Sequence, residues 1–279
     1  MAAANEESQQ LKLAYRHPYL LGSPLSLALE GGLLKEQQQF LNRMASVQLQ
    51  SRQAGGLLLG LEYQFKDARL LDAARGPNLA SFRLHKWGLR AEWSRLDSRL
   101  FPRQGYRLEG GVLAGPKQIT AVPDGSPVST GKSLQLSAEW AAERYWRLAP
   151  RTTLVLQTQA AFLQDERLFL PDLYRLGGLQ SIRGFREQSL FASRYGLLQA
   201  EVRQQFGNSS FLFLFYDQGW LHYRLPDTRY EDWPAGLGSG LSLQTSAGLF
   251  SLVYALGRQQ HQPLSLRSSQ VHFGYTSRF

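Results

Sequence analysis

Along most of the chain apolar and polar residues alternate with a period of two, the pattern of a strand with one greasy and one wet face. In "SLQLSAEWAAERYW", Leu134, Leu136, Ala138, Trp140 and Ala142 fall on one face, and Gln135, Ser137, Glu139, Ala141 and Glu143 on the other. In "TTLVLQTQAAF", Leu154, Leu156, Ala160 and Phe162 oppose Gln157 and Gln159; in "LSLQTSAG", Leu241, Leu243 and Ala247 oppose Ser242, Gln244 and Ser246. The pattern predicts strands over 11–20, 24–37, 40–53, 56–68, 80–97, 105–116, 131–148, 152–165, 195–206, 210–224, 236–247, 249–259 and 269–279.

The connections alternate in character. "YLLGSP", "FPRQG", "LAPRT", "FGNS" and "TSAG" are tight, whereas "DAARGPN", "PKQITAVPDGSPVST", residues 166–194, "RLPDTRYEDWPAG" and "RQQHQPLSLRS" are long and polar. Tight turns on one rim and long loops on the other are what an up-and-down barrel produces. A soluble sandwich also alternates, but its strands run to about five or six residues, and many here are twice that, enough to cross a bilayer at a tilt. The expected fold is therefore all-β: a transmembrane antiparallel up-and-down β-barrel of about 12–14 strands. Residues 11–279 would form the barrel, after a disordered or linker stretch over 1–10. In the last strand, Val271, Phe273, Tyr275 and Phe279 share a face suited to an interfacial aromatic belt.

Composition fits a folded chain: of 279 residues 43% are hydrophobic and 12% aromatic. The net charge of +9 comes from arginines scattered singly along strands, without the clustered basic runs that mark nucleic-acid binding. No cysteine is present, so disulfides and thiolate metal sites are excluded. The start "MAAANEESQQLKLAY" lacks the basic and apolar regions of a secretory signal, and no run of about 18 apolar residues predicts a membrane helix.

Catalytic and cofactor motifs find no support. "GSPVSTGKS" has five residues between its glycines and a strand after it, where a phosphate loop needs four and a helix. Gly236, Gly238 and Gly240 open a strand and suit a bend or a close approach. The histidines lack ligand spacing, and no Gly-x-Ser-x-Gly elbow occurs. No catalytic residue, metal or cofactor is expected.

The longest connection carries "YRLGGLQSIRGFREQSLF". Long loops are usually functional or disordered, and the apolar Phe169, Leu170, Leu173, Tyr174, Leu179, Ile182 and Phe185 suit packing, so this one is expected to fold inward. Arg183 inside a barrel needs acidic partners. Glu201 and Asp217 are near in sequence, but neither strand's phase is decided by its neighbours. Three unrelated charges facing water fit the residues equally well.

"LYRLGGLQSIRGF", followed by "AEV", "FYDQG" and a C-terminal aromatic strand, resembles the outer-membrane assembly and translocation barrel superfamily of BamA, TamA and FhaC type, the bacterial surface antigen barrel. "YRHPYLLGSPLSL" and "RLDSRLFPRQGYRLEG" are similar to earlier hairpins of that barrel, so the resemblance covers most of the chain. It implies that Gly177 and Gly178 lead into the loop signature Ile182, Arg183, Gly184 and Phe185, with Ile182 in place of the family's Val. It also implies that Arg183 contacts Glu201 and Asp217, and that Phe273, Tyr275 and Phe279 form a C-terminal strand signal.

The resemblance implies a non-enzymatic barrel of the bacterial outer membrane that assists insertion of outer-membrane proteins or translocation of polypeptides. Its partners would be outer-membrane lipid and lipopolysaccharide, client outer-membrane or secreted polypeptides, and accessory lipoproteins or a separate POTRA-bearing chain. Family barrels have sixteen strands behind periplasmic POTRA domains, whereas about thirteen strands and no such domain are legible here. The chain is expected to be either a truncation or a natural short form. A passive pore, a membrane scaffold and a membrane hydrolase are the rival readings.

Overall fold

The computed structural model describes residues 9–36, 39–71, 76–98, 100–123, 128–207, 209–245, 248–260 and 262–276. The strands are β1 (Gln9–His17), β2 (Leu25–Glu36), β3 (Phe40–Arg52), β4 (Leu57–Leu70), β5 (Ser81–Leu96), β6 (Gly105–Ala121), β7 (Gly131–Ala149), β8 (Thr152–Gln164), β9 (Tyr174–Leu176), β10 (Leu190–Ala192), β11 (Arg194–Gln205), β12 (Phe211–Arg224), β13 (Arg229–Asp232), β14 (Ala235–Thr245), β15 (Gly248–Arg258) and β16 (Gln270–Thr276). Thirteen pair antiparallel in the order β1 to β8, β11, β12, β14, β15, β16; β13 extends the sheet beside β12, and β9 pairs with β10 apart from it. Among the described residues β1 and β16 end the sheet and do not pair with each other.

Burial is inverted relative to a soluble protein. On β7 Leu134 is 68% exposed while Gln135 beside it is 2% exposed; on β4 the same contrast separates Leu61 (63%) from Glu62 (5%). A sheet facing water outside would hide its leucines, so the exposed face belongs against hydrocarbon and the buried polar face lines a lumen. The segment between β8 and β11 establishes the curvature. It touches Glu36 on β2, Asn42 on β3, Lys117 on β6, Asp217 on β12 and His272 on β16. A segment can reach both ends and the middle of one sheet only if the sheet curls around it. The fold is a transmembrane antiparallel β-barrel with an inward-folded loop.

Three differences from the sequence expectation have local causes. Strand β1 begins at Gln9 and stops at His17, where Leu20–Gly22 turns as a 3-10 helix. Strand β6 continues to Ala121 through Pro116, which lacks an N–H donor. The β5–β6 ladder pairs Leu84 with Lys117 and Trp87 with Ala114 and records no pairing for Pro116 between them, so the missing donor falls at an interruption. The long connections also hold the short β9, β10 and β13, too brief for a period-two signal.

Candidate functional site: the inward segment and its anchors

After β8 the chain enters the lumen, forms a 3-10 turn at Leu170–Asp172, and makes a narrow ribbon in which Leu176 pairs with Leu190 and Tyr174 with Ala192. The tip between these strands carries residues 177–189. Ile182 and Phe185 are buried together with Leu176, Leu190, Leu197 and Leu221, so the tip is seated on β11 and β12 by its apolar side chains. The Gly177 N–H donates to Ser181 Oγ at 2.7 Å, and Gln199 Nε2 donates to the Ser181 carbonyl at 2.7 Å, which fixes the turn before Arg183.

Arg183 lies between two carboxylates. Its Nε and Nη2 donate to the two oxygens of Asp217 at 2.9 and 2.6 Å, and its backbone N–H donates to Asp217 Oδ2 at 2.9 Å. Nη1 donates to Glu201 Oε2 at 2.7 Å, while the other Glu201 oxygen accepts from Arg203 Nε at 2.6 Å. The four side chains form a neutral quartet of two cations and two anions. Asp217, only 1% exposed, receives three donors, so the cost of removing its charge from water is offset by fork geometry rather than by one contact. The guanidinium carbon also sits 3.6 Å from the centroid of the Phe215 ring.

Glycine makes this approach sterically allowed. Gly184 has φ +92°, and a Cβ there would meet the backbone of Leu256 and Gly257 at 2.7 Å, so both conformation and space demand glycine. On the facing strand, a Cβ on Gly236 would lie 2.0 Å from the Arg183 carbonyl oxygen, and Gly238 and Gly240 leave room for the rings of Phe215 and Phe213. The "GLGSG" run is thus a bare strip on which the tip and its aromatic platform lie. Gly177 and Gly178 also adopt positive φ at the entry to the tip.

A second anchor escaped the sequence reading. Lys117 Nζ lies 2.9 Å from both Asp165 and Asp172, all three side chains fully buried, and Gln135 Nε2 donates to the other Asp172 oxygen at 2.9 Å. Lys117 also faces the rings of Phe82 and Phe169. Nearby, Lys66 and Asn42 donate to the Pro171 carbonyl at 2.5 and 3.1 Å. The available signal was Lys117 itself, in phase with the lumen-facing Leu113 once the strand runs past Pro116.

The structure therefore brings together Ile182, Arg183, Gly184, Phe185, Glu201 and Asp217. The C-terminal residues stand apart from them: Phe273 and Tyr275 point outward on β16, and Phe279 lies outside the described residues. The inner face of β16 meets the tip through His272, whose Nε2 accepts from the Gly184 N–H at 3.4 Å.

Comparison with known proteins agrees with this architecture. The Omp85 superfamily domain model matches residues 1–279. The structure of BamA from Haemophilus ducreyi lacking POTRA domains 1–3 is similar with a TM-score of 0.66 at 15% identity, over 96% of this chain and 61% of that one. CdiB from Acinetobacter baumannii is similar with a TM-score of 0.53 at 16% identity, over 98% of this chain and 56% of that one. The chain thus spans less than two thirds of either protein. No curated protein matches the sequence.

Proposed function

The chain belongs to the Omp85 superfamily, and from that premise we propose that it is an outer-membrane barrel that assists insertion of outer-membrane proteins or translocation of polypeptides. The observation that carries this reading is the inward tip, held to the lumen wall by Arg183 between Glu201 and Asp217. Ile182, Arg183, Gly184 and Phe185 act as the loop signature, with Phe273, Tyr275 and Phe279 as the C-terminal strand signal. Among the described residues β1 and β16 are not paired with each other, and an exposed strand edge is a template on which an extended client segment gains main-chain hydrogen bonds. Outer-membrane lipid and lipopolysaccharide surround the barrel. Accessory lipoproteins or a separate POTRA-bearing chain deliver the client.

Liposomes containing the protein test this directly. They are expected to accelerate folding of an added client barrel, or to pass a polypeptide, relative to empty liposomes; equal rates in both assays overturn the reading.

One observation favours the barrel acting as a passive pore. A polar cavity of about 370 Å³ lies along the inner faces of β5 to β8, lined by Arg90, Arg107, Glu109, Glu139 and Glu143. Planar-bilayer conductance separates the two: a steady open channel unaltered by Arg183→Ala supports the pore.

A further inference from the structure

The outward wall is not uniformly convex. A groove of about 1230 Å³ crosses it, lined almost wholly by carbon. Its course follows the pairing register. Ala91 on β5 pairs with Gly110 on β6, and Ala160 lies in the same row on β8, a shallow floor from which the half-exposed Trp140 of β7 rises between Gly110 and Ala160. Two residues along each strand, the rows Leu61, Leu89, Val112 and Leu57, Trp93, Leu108 form the walls. Barrel strands tilt by roughly 35–45°, so a line across them climbs the wall toward the rim of long loops. There the groove ends at Arg194 and Trp220.

That end differs in chemistry from the rest. Arg194 is exposed, and its guanidinium lies 4.5 Å from the Phe162 ring centroid, with no carboxylate within ion-pair distance among the described residues. The nearby Glu231 is engaged as acceptor for the Trp220 indole N–H at 3.1 Å. A cation free of acidic partners beside an indole, at the top of a hydrocarbon-facing trough, matches a molecule with a negative head and a greasy body. The volume exceeds the roughly 300–1,000 Å³ of clefts that hold drug-sized ligands, which leaves room for more than one acyl chain.

We propose that this groove is a binding site for a phosphate-bearing, multiply acylated lipid of the long-loop leaflet, the lipid A part of lipopolysaccharide, with acyl chains across the Ala91–Gly110–Ala160 floor and a phosphate on Arg194. The site lies on the opposite face of the wall from the Arg183 quartet. Lipid occupancy is read without any client polypeptide, so a barrel inactive in assembly still gives an answer.

The test titrates detergent-solubilised protein with lipid A and counts bound lipid by native mass spectrometry, with a heat-modifiable gel band verifying the fold of each variant. Arg194→Gln is expected to weaken binding about tenfold, equivalent to about 1.4 kcal/mol. Ala91→Trp, which fills the floor, is expected to abolish it. Dephosphorylated lipid A added to wild-type protein reads the phosphate contact with no substitution, and about tenfold weaker binding is expected. Equal binding of phosphorylated and dephosphorylated lipid A overturns the proposal, as does binding of phosphatidylglycerol as tight as that of lipid A, or full occupancy in a folded Ala91→Trp.

Discussion

Arg183 stacks on Phe215, its guanidinium carbon 3.6 Å from the ring centroid, while its nitrogens are taken by Asp217 and Glu201. The ring explains why an apolar residue points into the lumen: it shields the ion pairs from water on one face, and in a drier site each charge-assisted contact is stronger. The tip is therefore fixed by a planar cation with edge acceptors and a face platform, a combination that a lysine cannot satisfy.

Removing the guanidinium should leave Asp217 buried without its main partner. Arg183→Ala is expected to destabilise the tip by about 3–5 kcal/mol where desolvation is complete, with a smaller loss at Glu201 because Arg203 still holds it. Arg183→Lys should fall between wild type and alanine. Heat resistance of the folded band on a gel measures both.

Adding a single methyl group on the facing strand should dislodge the tip without touching any charge. In Gly236→Ala the new Cβ meets the Arg183 carbonyl at 2.0 Å, backbone that cannot swing aside. Protease cleavage within residues 177–189 is expected to rise in this variant and to remain at the wild-type level in Gly196→Ala, where a Cβ meets open space.

The Lys117 cluster makes a prediction of opposite signs. Lys117→Met alone strands two buried carboxylates and should cost about 3–5 kcal/mol, whereas adding Asp165→Asn and Asp172→Asn should recover a large part of the loss. Denaturant midpoints of the single and triple variants, at equal slope, measure the difference.

In the tight turn between β5 and β6, burial pushes the Asp97 carboxyl up, but donation from the backbone N–H groups of Arg103, Gln104 and Ser98 outweighs it and holds the group below the usual carboxylate range. A depressed folded value contributes stability that is full above the unfolded value and is lost as pH falls through the folded one. Turn order should therefore persist into acid that protonates ordinary carboxylates, then fail. Asp97→Asn is expected to remove this step, read by proteolysis of the turn against pH with an acid-stable protease.

Legibility in the sequence followed the surroundings of each strand. Leu134 and Gln135 could be placed from periodicity because lipid and a polar, hydrogen-bonding interior oppose each other across β7. Glu201 and Asp217 could not, because Phe213 and Phe215 share their inward face beneath Arg183; only the resemblance to a known barrel family pointed to the contact. Phe82, Leu84 and Ile119 face inward for a related reason: with Phe169 from the inward segment they form an apolar core inside the barrel, where an empty lumen would hold polar groups. Lys117 was lost because Pro116 reads as the end of a strand, and the interrupted ladder that tolerates proline leaves no trace in residue order.

In a thirteen-strand antiparallel path the first and last strands run the same way, so β1 and β16 point in one direction. Zipping them directly would demand a parallel ladder, slightly weaker per residue than every other junction in the wall. Any odd number of strands between β16 and β1 would make both of those junctions antiparallel, matching every other junction among the described strands.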